Sequence, residues 1–580
     1  MKQLIKNKTY LPYILLAGVS CVSFLFSNLS YDAEYQLAMA YRLLKGDTLI
    51  LQMWEPHQTS AFLCAIIMKL WLLLTGSTTG IVLFTQGIGL LIRTGIALYV
   101  YKTIRRVTNT PAGTIAPHAL IAGMMYLLIS PKDLLVPEFS NMQIWFATLT
   151  CLLLVNYFQD KKLWQLIFSA VCLCLGVFSY PSFVIAYLAV FFLLLKYSTA
   201  GKRDITLFTC ICALIGGTFV AYLLISVGLD TILMCLPKAL ALEPTHTISM
   251  SARILTQLLE IAKLLGLLAA ICLSGLLIEK ILSGLLGRKT QSGKGFSADR
   301  WLMISWYLLM VILFANIISV ENTGAHIYPQ LAILLLGFSK RKLCTDAEKI
   351  LYHSALWIGI TNLLATILLS DLGFLRSIPY MHVATCVSAV PIFRWFEECT
   401  RKAEAPSVKK LFTCGVHVFL LLVVFRCIYI HCPIHGASQI CSLSSDLSLI
   451  RSGPAFGIIT DEGGAAKQRD SFNEWQQYIR PGDTIYLLGE PLDTLGYLYQ
   501  DVEVGAPSVI STPAYHPELL SYWEINPDKY PDVIILASTY GELTPQVANV
   551  TWLMEWLEEE YRAETVIDGN YWRYYFKTAR

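Results

Sequence analysis

The sequence predicts a polytopic α-helical membrane protein with a small α/β domain at its C-terminal end. Three observations predict it. Of the 580 residues, 55% are hydrophobic and only 15% charged, with a mean hydropathy of +0.55; soluble domains carry roughly 25% charged residues. Many apolar runs approach or exceed the ~20 residues that cross ~30 Å of hydrocarbon. After residue 430 the leucine runs give way to prolines, glycines, acids and aromatics. A net charge of +3 offers no electrostatic footprint for nucleic acid, and none is expected as a partner.

About 13 spans are expected, near 11–28, 81–101, 116–130, 142–158, 163–179, 182–197, 205–227, 259–279, 301–319, 327–339, 350–370, 378–395 and 411–430. Lys2, Lys6 and Lys8 before the first span resemble the start of a signal peptide; with no small-residue cleavage site in view, the span reads as retained. Basic residues then sort to one side: Lys102, Arg105 and Arg106; Lys161 and Lys162; Lys202 and Arg203; Arg288, Lys289 and Lys294; Lys340, Arg341 and Lys342; Arg401, Lys402, Lys409 and Lys410. The opposite loops hold few, namely Lys132, Lys238, Arg253 and Arg376. The positive-inside rule makes the first set cytoplasmic and places the loop at Asp32 and the chain beyond residue 430 outside. A bacterial inner membrane is the expected location. Residues 60–75 (SAFLCAIIMKLWLLLT) are apolar enough to suggest a span, but one there would invert every later loop. The segment therefore reads as an interfacial helix within a first outer loop of about residues 29–80. A second interfacial helix is expected from Glu34 to Leu44, and residues 228–258 read as a long outer loop.

In the outer domain, 431–580, DTIYLLG (483–489) and DVIILAS (532–538) read as strands. Residues 472–479 and 546–561 read as amphipathic helices, the second with Trp552, Trp556 and Leu557 on one face, and YWRYYF (571–576) as a closing strand. No phosphate-binding glycine motif is present in it. The cysteines lie mostly inside apolar spans as small hydrophobes; Cys432 and Cys441 form a disulfide if that side is oxidising.

The functional signal is Tyr31-Asp32-Ala33-Glu34-Tyr35, two carboxylates where the chain leaves the first span. Acids at that depth usually line a wet cavity, because a carboxylate facing hydrocarbon costs several kcal/mol. The string YDAEYQLAMAYRLLKGDTL resembles the opening of the class C glycosyltransferases that use polyprenyl-phosphate-linked sugars, among them the protein O-mannosyltransferases and lipid A aminoarabinose transferases. TSAFLCAIIMKLWLLLTGST is similar to that family's second interface helix, and HIYPQLAILLLG to its late loop. The resemblance covers residues 10–430 in layout and specific residues only in the first outer loop. The family's proline pair is replaced by His57-Gln58-Thr59-Ser60, and its second acid has two candidate counterparts, Glu138 and Asp133.

The resemblance implies a sugar moved from a polyprenyl-phosphate donor to a lipid, glycan or protein acceptor at the outer face, in a GT-C-like bundle with interface helices. It implies Asp32 as the general base and Glu34 as a secondary acid, since i and i+2 do not share a helix face. Expected substrate contacts are Glu55, His57, Arg93, Lys132, Glu138, Lys238, Arg253, His326 and Tyr328, with Arg376 as a further cation for the lipid phosphate. Each has a plainer reading: Asp32 and Glu34 as charges at a helix start, Arg93 as a snorkelling or backbone-paired residue, Lys132 and Asp133 as a solvated turn, His57 and Glu55 as a loop pair, His326 as an interface histidine. No cofactor is assigned; a divalent ion at Asp32, Glu34 and His57 stays open, because oligosaccharyltransferase relatives use one. Two other classes of function compete: a flippase or polymerase-type carrier of lipid-linked glycans, and a sensor whose outer domain binds the ligand.

Overall fold

The computed structural model describes residues 11–26, 31–111, 116–128, 135–241, 250–285, 304–305, 327–369, 373–402, 417, 447–489, 491–512 and 518–578. The helical part runs α1 (Leu11–Phe26), α2 (Tyr31–Leu44), α3 (Ala61–Thr75), α4 (Ile81–Val107), α5 (Pro117–Leu128), α6 (Phe139–Asp160), α7 (Leu163–Ser179), α8 (Ala186–Tyr197), α9 (Gly201–Ser226), α10 (Leu229–Ala241), α11 (Met250–Leu285), α12 (Ile327–Lys340), α13 (Asp346–Leu369), α14 (His382–Val387) and α15 (Ala389–Lys402). Among the described residues six helical segments are long and apolar enough to cross a membrane. Their outer faces carry leucine and isoleucine in the open, as at Leu214 and Ile225 on α9 and Leu273 and Leu277 on α11. A soluble protein does not expose such surface; the chain is an integral membrane protein.

The bundle is closed by specific local chemistry. Glu138 caps α6 by accepting from the backbone N–H groups of Ser140 (2.8 Å) and Asn141 (2.6 Å). Thr345 and Glu348 form a reciprocal capping box at the start of α13 (2.9 and 3.4 Å). Gly89 on α4 allows the closest approach of all: a Cβ there would lie 1.5 Å from the Leu135 carbonyl oxygen.

Several expectations are corrected. The span expected at 378–395 is broken, with a 3₁₀ turn at Ile378–Met381, then α14, then a new start at Ala389. Pro391 has no N–H to continue the ladder from α14, which forces the break at Ser388. In the preceding 3₁₀ turn the Tyr380 carbonyl accepts from Asn362 Nδ2 at 2.8 Å, and Asn362 Oδ1 accepts from Gln143 on α6, also at 2.8 Å. The segment 228–258, expected as a loop, is helical over Leu229–Ala241, where Cys235 and Ala239 are buried, and again from Met250. The 60–75 segment does form a helix, but with the preceding turn Gln58–Ser60 it also meets the length and apolarity of a span. The α3 helix itself, at ~1.5 Å per residue, falls short of ~30 Å. The span expected at 411–430, most of that at 301–319, and Cys432 and Cys441 lie outside the described residues.

The C-terminal domain holds a mixed sheet ordered β4 (Glu503–Val504), β3 (Thr484–Leu488), β5 (Val533–Thr539), β8 (Trp572–Phe576), β7 (Thr565–Asp568). The first two pairings are parallel and the last two antiparallel. The strands expected from DTIYLLG and DVIILAS are its centre, fully buried along β3 and nearly so along β5. A separate hairpin pairs β1 (Leu447–Leu449) with β2 (Ile459–Asp461), from which α16 (Glu462–Tyr478) starts with Asp461 as its cap. The helix expected at 546–561 is interrupted: a turn at Pro545–Ala548, then α17 (Thr551–Trp556), then a wider turn at Leu557–Tyr561. Trp556 and Leu557 are buried, whereas Trp552 is 38% exposed.

The molecule has two hydrophobic cores. One fills the bundle between α4–α8 and α12–α15. The other joins residues Ala33 to Val82 to the interior of the C-terminal domain, with Phe139, Tyr180, Cys235 and Ala239 at its edge.

Candidate functional site

The acidic string opens α2, with both Asp32 and Glu34 in its first turn. Their surroundings differ. Asp32 is half-buried, while Glu34 is 1% exposed and packed against the 3₁₀ segment Pro491–Leu498 of the C-terminal domain. Burial and, after it, the negative charge of Asp493 hold the Glu34 carboxyl well above the usual range; the Leu495 backbone N–H and Lys467 oppose this without reversing it. Asp493, itself 6% exposed, is paired with Lys467 at 2.9 Å. Glu34 is thus a buried acid in a domain junction that holds its proton more tightly than a free carboxyl.

Asp32 and Tyr35 share a side of α2 at i, i+3. The Tyr35 ring meets Phe139 edge-on at 6.3 Å, and Phe139 stacks on His57 at 4.1 Å with 7° between the planes. Tyr180 lies 4.9 Å from His57 and 6.4 Å from Phe139, so the three rings form one aromatic cluster beside the N-terminus of α6.

Glu55 serves a different network. Its carboxylate faces Arg42 Nη1 at 3.4 Å and accepts from the Val509 N–H at 2.8 Å. Arg42 also binds Asp47 through Nε, the Gln52 carbonyl, the Pro507 carbonyl (3.3 Å) and Tyr522 Oη (2.8 Å). Asp47 in turn meets Lys529 at 2.6 Å, and Lys529 meets Glu503 at 2.9 Å. Burial raises the Glu55 carboxyl, and Arg42 with the Ser508 and Val509 donors pulls back. Burial lowers the Lys529 ammonium, but Asp47 and Glu503 more than offset it. These buried charges tie the 31–80 region to the C-terminal domain, and the Glu55 side chain sits inside that tie with no exposed surface.

The remaining expected residues are dispersed. Arg93 is 3% exposed inside the bundle, donating from Nε to the Tyr126 carbonyl at 3.3 Å. Lys238 on α10 pairs with Glu518 (2.8 Å) and Ser521 (2.7 Å) and lies over the Trp54 ring at 5.8 Å. Glu138 has both carboxylate oxygens on the α6 backbone. Arg376 is exposed on a single turn, Phe374–Ser377. Lys132, Asp133 and His326 lie outside the described residues; Arg253 and Tyr328 fall on α11 and α12, and their side chains are not described. Among the described residues no group of three or more histidines, cysteines and carboxylates is placed to hold a metal ion. Sequence reasoning missed Tyr35, Phe139 and Tyr180, aromatics with no spacing to mark them, and the Asp493–Lys467 pair, which reaches Glu34 only through the fold.

No protein-family model matches the chain, and no curated protein matches it. Among solved structures it is similar to ArnT from Cupriavidus metallidurans bound to undecaprenyl phosphate, with 10% identity over 99% of this chain and 98% of that one, TM-score 0.47. It is also similar to the Archaeoglobus fulgidus oligosaccharyltransferase tethered with an acceptor peptide, with 12% identity over 92% and 69% of the two chains, TM-score 0.44. The same archaeal enzyme with an inhibitory peptide and a dolichol-phosphate gives 10% identity over 92% and 70%, TM-score 0.42. These neighbours are class C glycosyltransferases. At this level of likeness the functional reading rests on the residues of this chain.

Proposed function

We propose that this protein is a membrane glycosyltransferase that moves a sugar from a polyprenyl-phosphate carrier to a hydroxyl or amine of a lipid, glycan or protein acceptor at the outer face. The reading rests on one observation: of the two acids that open α2, only Asp32 keeps exposed surface, while Glu34 is sealed against the C-terminal domain. Asp32 takes the proton of the acceptor as its oxygen or nitrogen attacks the anomeric carbon. The bond from that carbon to the carrier phosphate breaks, and the electron pair leaves with the lipid phosphate. Attack opposite the leaving group inverts the anomeric configuration. A positioned carboxylate base contributes typically 10²–10⁴-fold.

Glu34 acts at a distance, fixing the rotation of α2 through its contact with Leu495. The aromatic cluster of His57, Phe139 and Tyr180 supplies apolar ring surface on the Tyr35 side, suited to a sugar or prenyl face. Lys132, Arg253, His326 and Tyr328 remain the proposed donors to the departing phosphate, with Lys238 and Arg93 as further cations. The test is transfer from a panel of radiolabelled polyprenyl-phosphate sugars in membranes carrying wild type or Asp32→Asn. Transfer lost in a folded variant supports the reading. Transfer retained returns Asp32 to a helix-start charge, and absence of transfer with every donor favours a carrier.

A further inference from the structure

Away from the outer site, α8 and α13 enclose a cavity of about 540 Å³ lined by Ala189, Phe192, Leu193, Lys196, Tyr197, His353 and Trp357, with Leu195 at its edge. Its two ends differ. Ala189, Phe192 and Trp357 form an apolar slot, and Phe192 and Trp357 are open to the outside of the bundle at 64% and 53% exposure. Lys196 and His353 stand at the other end, one helical turn further along each helix (i, i+4 from Phe192 and from Trp357). His353 Nδ1 is bonded to Tyr197 Oη at 2.6 Å, and the two rings stack at 6.4 Å and 19°, which fixes the imidazole at the mouth.

The mouth is positive. Lys196, Arg341 and Lys349 all act on His353. The nearby acids are engaged elsewhere: Glu348 is turned onto Arg394 (3.1 Å), and Asp346 pairs with Lys349 at 2.9 Å, so the positive charge of the mouth is that of Lys196 and Arg341. This is the end of the bundle that also carries Lys340, Lys342, Lys202 and Arg203. A ligand for such a cavity needs a negative head and an apolar tail that leaves sideways between two helices.

We propose that the α8–α13 cavity is a binding site for an anionic phospholipid, its phosphodiester on Lys196 and His353 and one acyl chain along Phe192 and Trp357. Basic pockets between membrane helices favour such headgroups, and each cation near the surface contributes roughly fivefold in affinity. The site is independent of the glycosyl-transfer reading.

The experiment uses the full-length protein in phosphatidylcholine vesicles doped with brominated phosphatidylglycerol or, in parallel, brominated phosphatidylcholine. The readout is the part of tryptophan quenching that disappears in Trp357→Phe. Preferential quenching by the anionic lipid, reduced at least about tenfold in apparent affinity in Lys196→Gln/Arg341→Gln, is expected from two lost cations. Equal quenching by both lipids in the wild type overturns the proposal without any variant needing to fold. An unchanged preference in the folded double variant also overturns it, as does displacement of the lipid by millimolar inorganic phosphate, which would mark a free-anion site.

Discussion

The two cores of this protein are built on opposite terms. The bundle core is leucine, alanine and aromatic packing with neutral polar links such as Gln143 to Asn362 and separate buried charges such as Arg93, Asp204 and Glu348. The second core, shared by the 31–80 region and the C-terminal domain, gathers Arg42, Asp47, Glu55 and Lys529 into one buried network among its aromatics. Hydropathy specifies the first, because any large apolar side chain of suitable volume packs there. The second depends on partners more than four hundred residues apart, such as Arg42 with Tyr522 and Pro507. Buried charges favour one arrangement because every alternative leaves one unpaired.

The largest effect that separates the two is expected from Arg42→Ala. It leaves Asp47 and Glu55 buried beside no guanidinium, which costs about 3–5 kcal/mol when one partner of a buried pair is removed. Limited proteolysis should then cut the 31–80 region and the C-terminal domain while the bundle stays intact; unchanged resistance would mean the charges are not the tie. Arg42→Lys should fail nearly as far, since a lysine cannot serve Asp47, Glu55 and Tyr522 from one planar fork.

A smaller effect, about 1 kcal/mol, is expected for Glu138→Ala, which removes the cap of α6. Thermal unfolding followed by helical signal reads it, and an effect confined to transfer activity instead would assign Glu138 to substrate.

Glu34 sharpens the comparison through pH. Its carboxyl is raised in the folded state, so that state holds its proton more tightly than the unfolded chain. The sign follows: stability of the outer region falls as pH rises from the ordinary carboxyl range, near 4.5, toward the raised folded value. Glu34→Gln should flatten that slope in melting curves taken from mildly acidic to neutral pH, and a slope unchanged by the substitution would contradict the neutral burial. The smallest effect belongs to the surface pair Lys45–Asp501, whose aspartate side chain is 59% exposed; Lys45→Ala should move the melting transition by less than about 1 kcal/mol.

What the sequence made legible follows the same division. Leucine runs located α4, α6, α7 and α9, and the continuous apolar strings of β3 and β5 were visible because both faces of those strands are covered. The break after Ser388 was less visible: Pro391 marks it, but the apolar run continues across. Strand β7, with exposed Val566 between half-buried neighbours, gave no clear alternation against its polar ends. In the candidate site, Asp32 and Glu34 were found from their position after the first span. Which of the two stays accessible was not readable, because Leu495, Asp493 and Lys467 reach Glu34 only once the C-terminal domain docks. Glu55 was read as a substrate contact for the same reason: its partners Arg42, Ser508 and Val509 share no local pattern with it.

The central claim is that docking of the C-terminal domain divides the labour of the acidic pair, leaving Asp32 to the chemistry and Glu34 to the fold. The most direct measurement compares transfer by Asp32→Asn and Glu34→Gln in the same membranes, with a donor on which the wild type is active. The account predicts a loss of about 10²–10⁴-fold for Asp32→Asn at unchanged melting behaviour, and transfer largely kept by Glu34→Gln. Loss in Glu34→Gln with Asp32→Asn still active would contradict it and make the buried acid the reacting one.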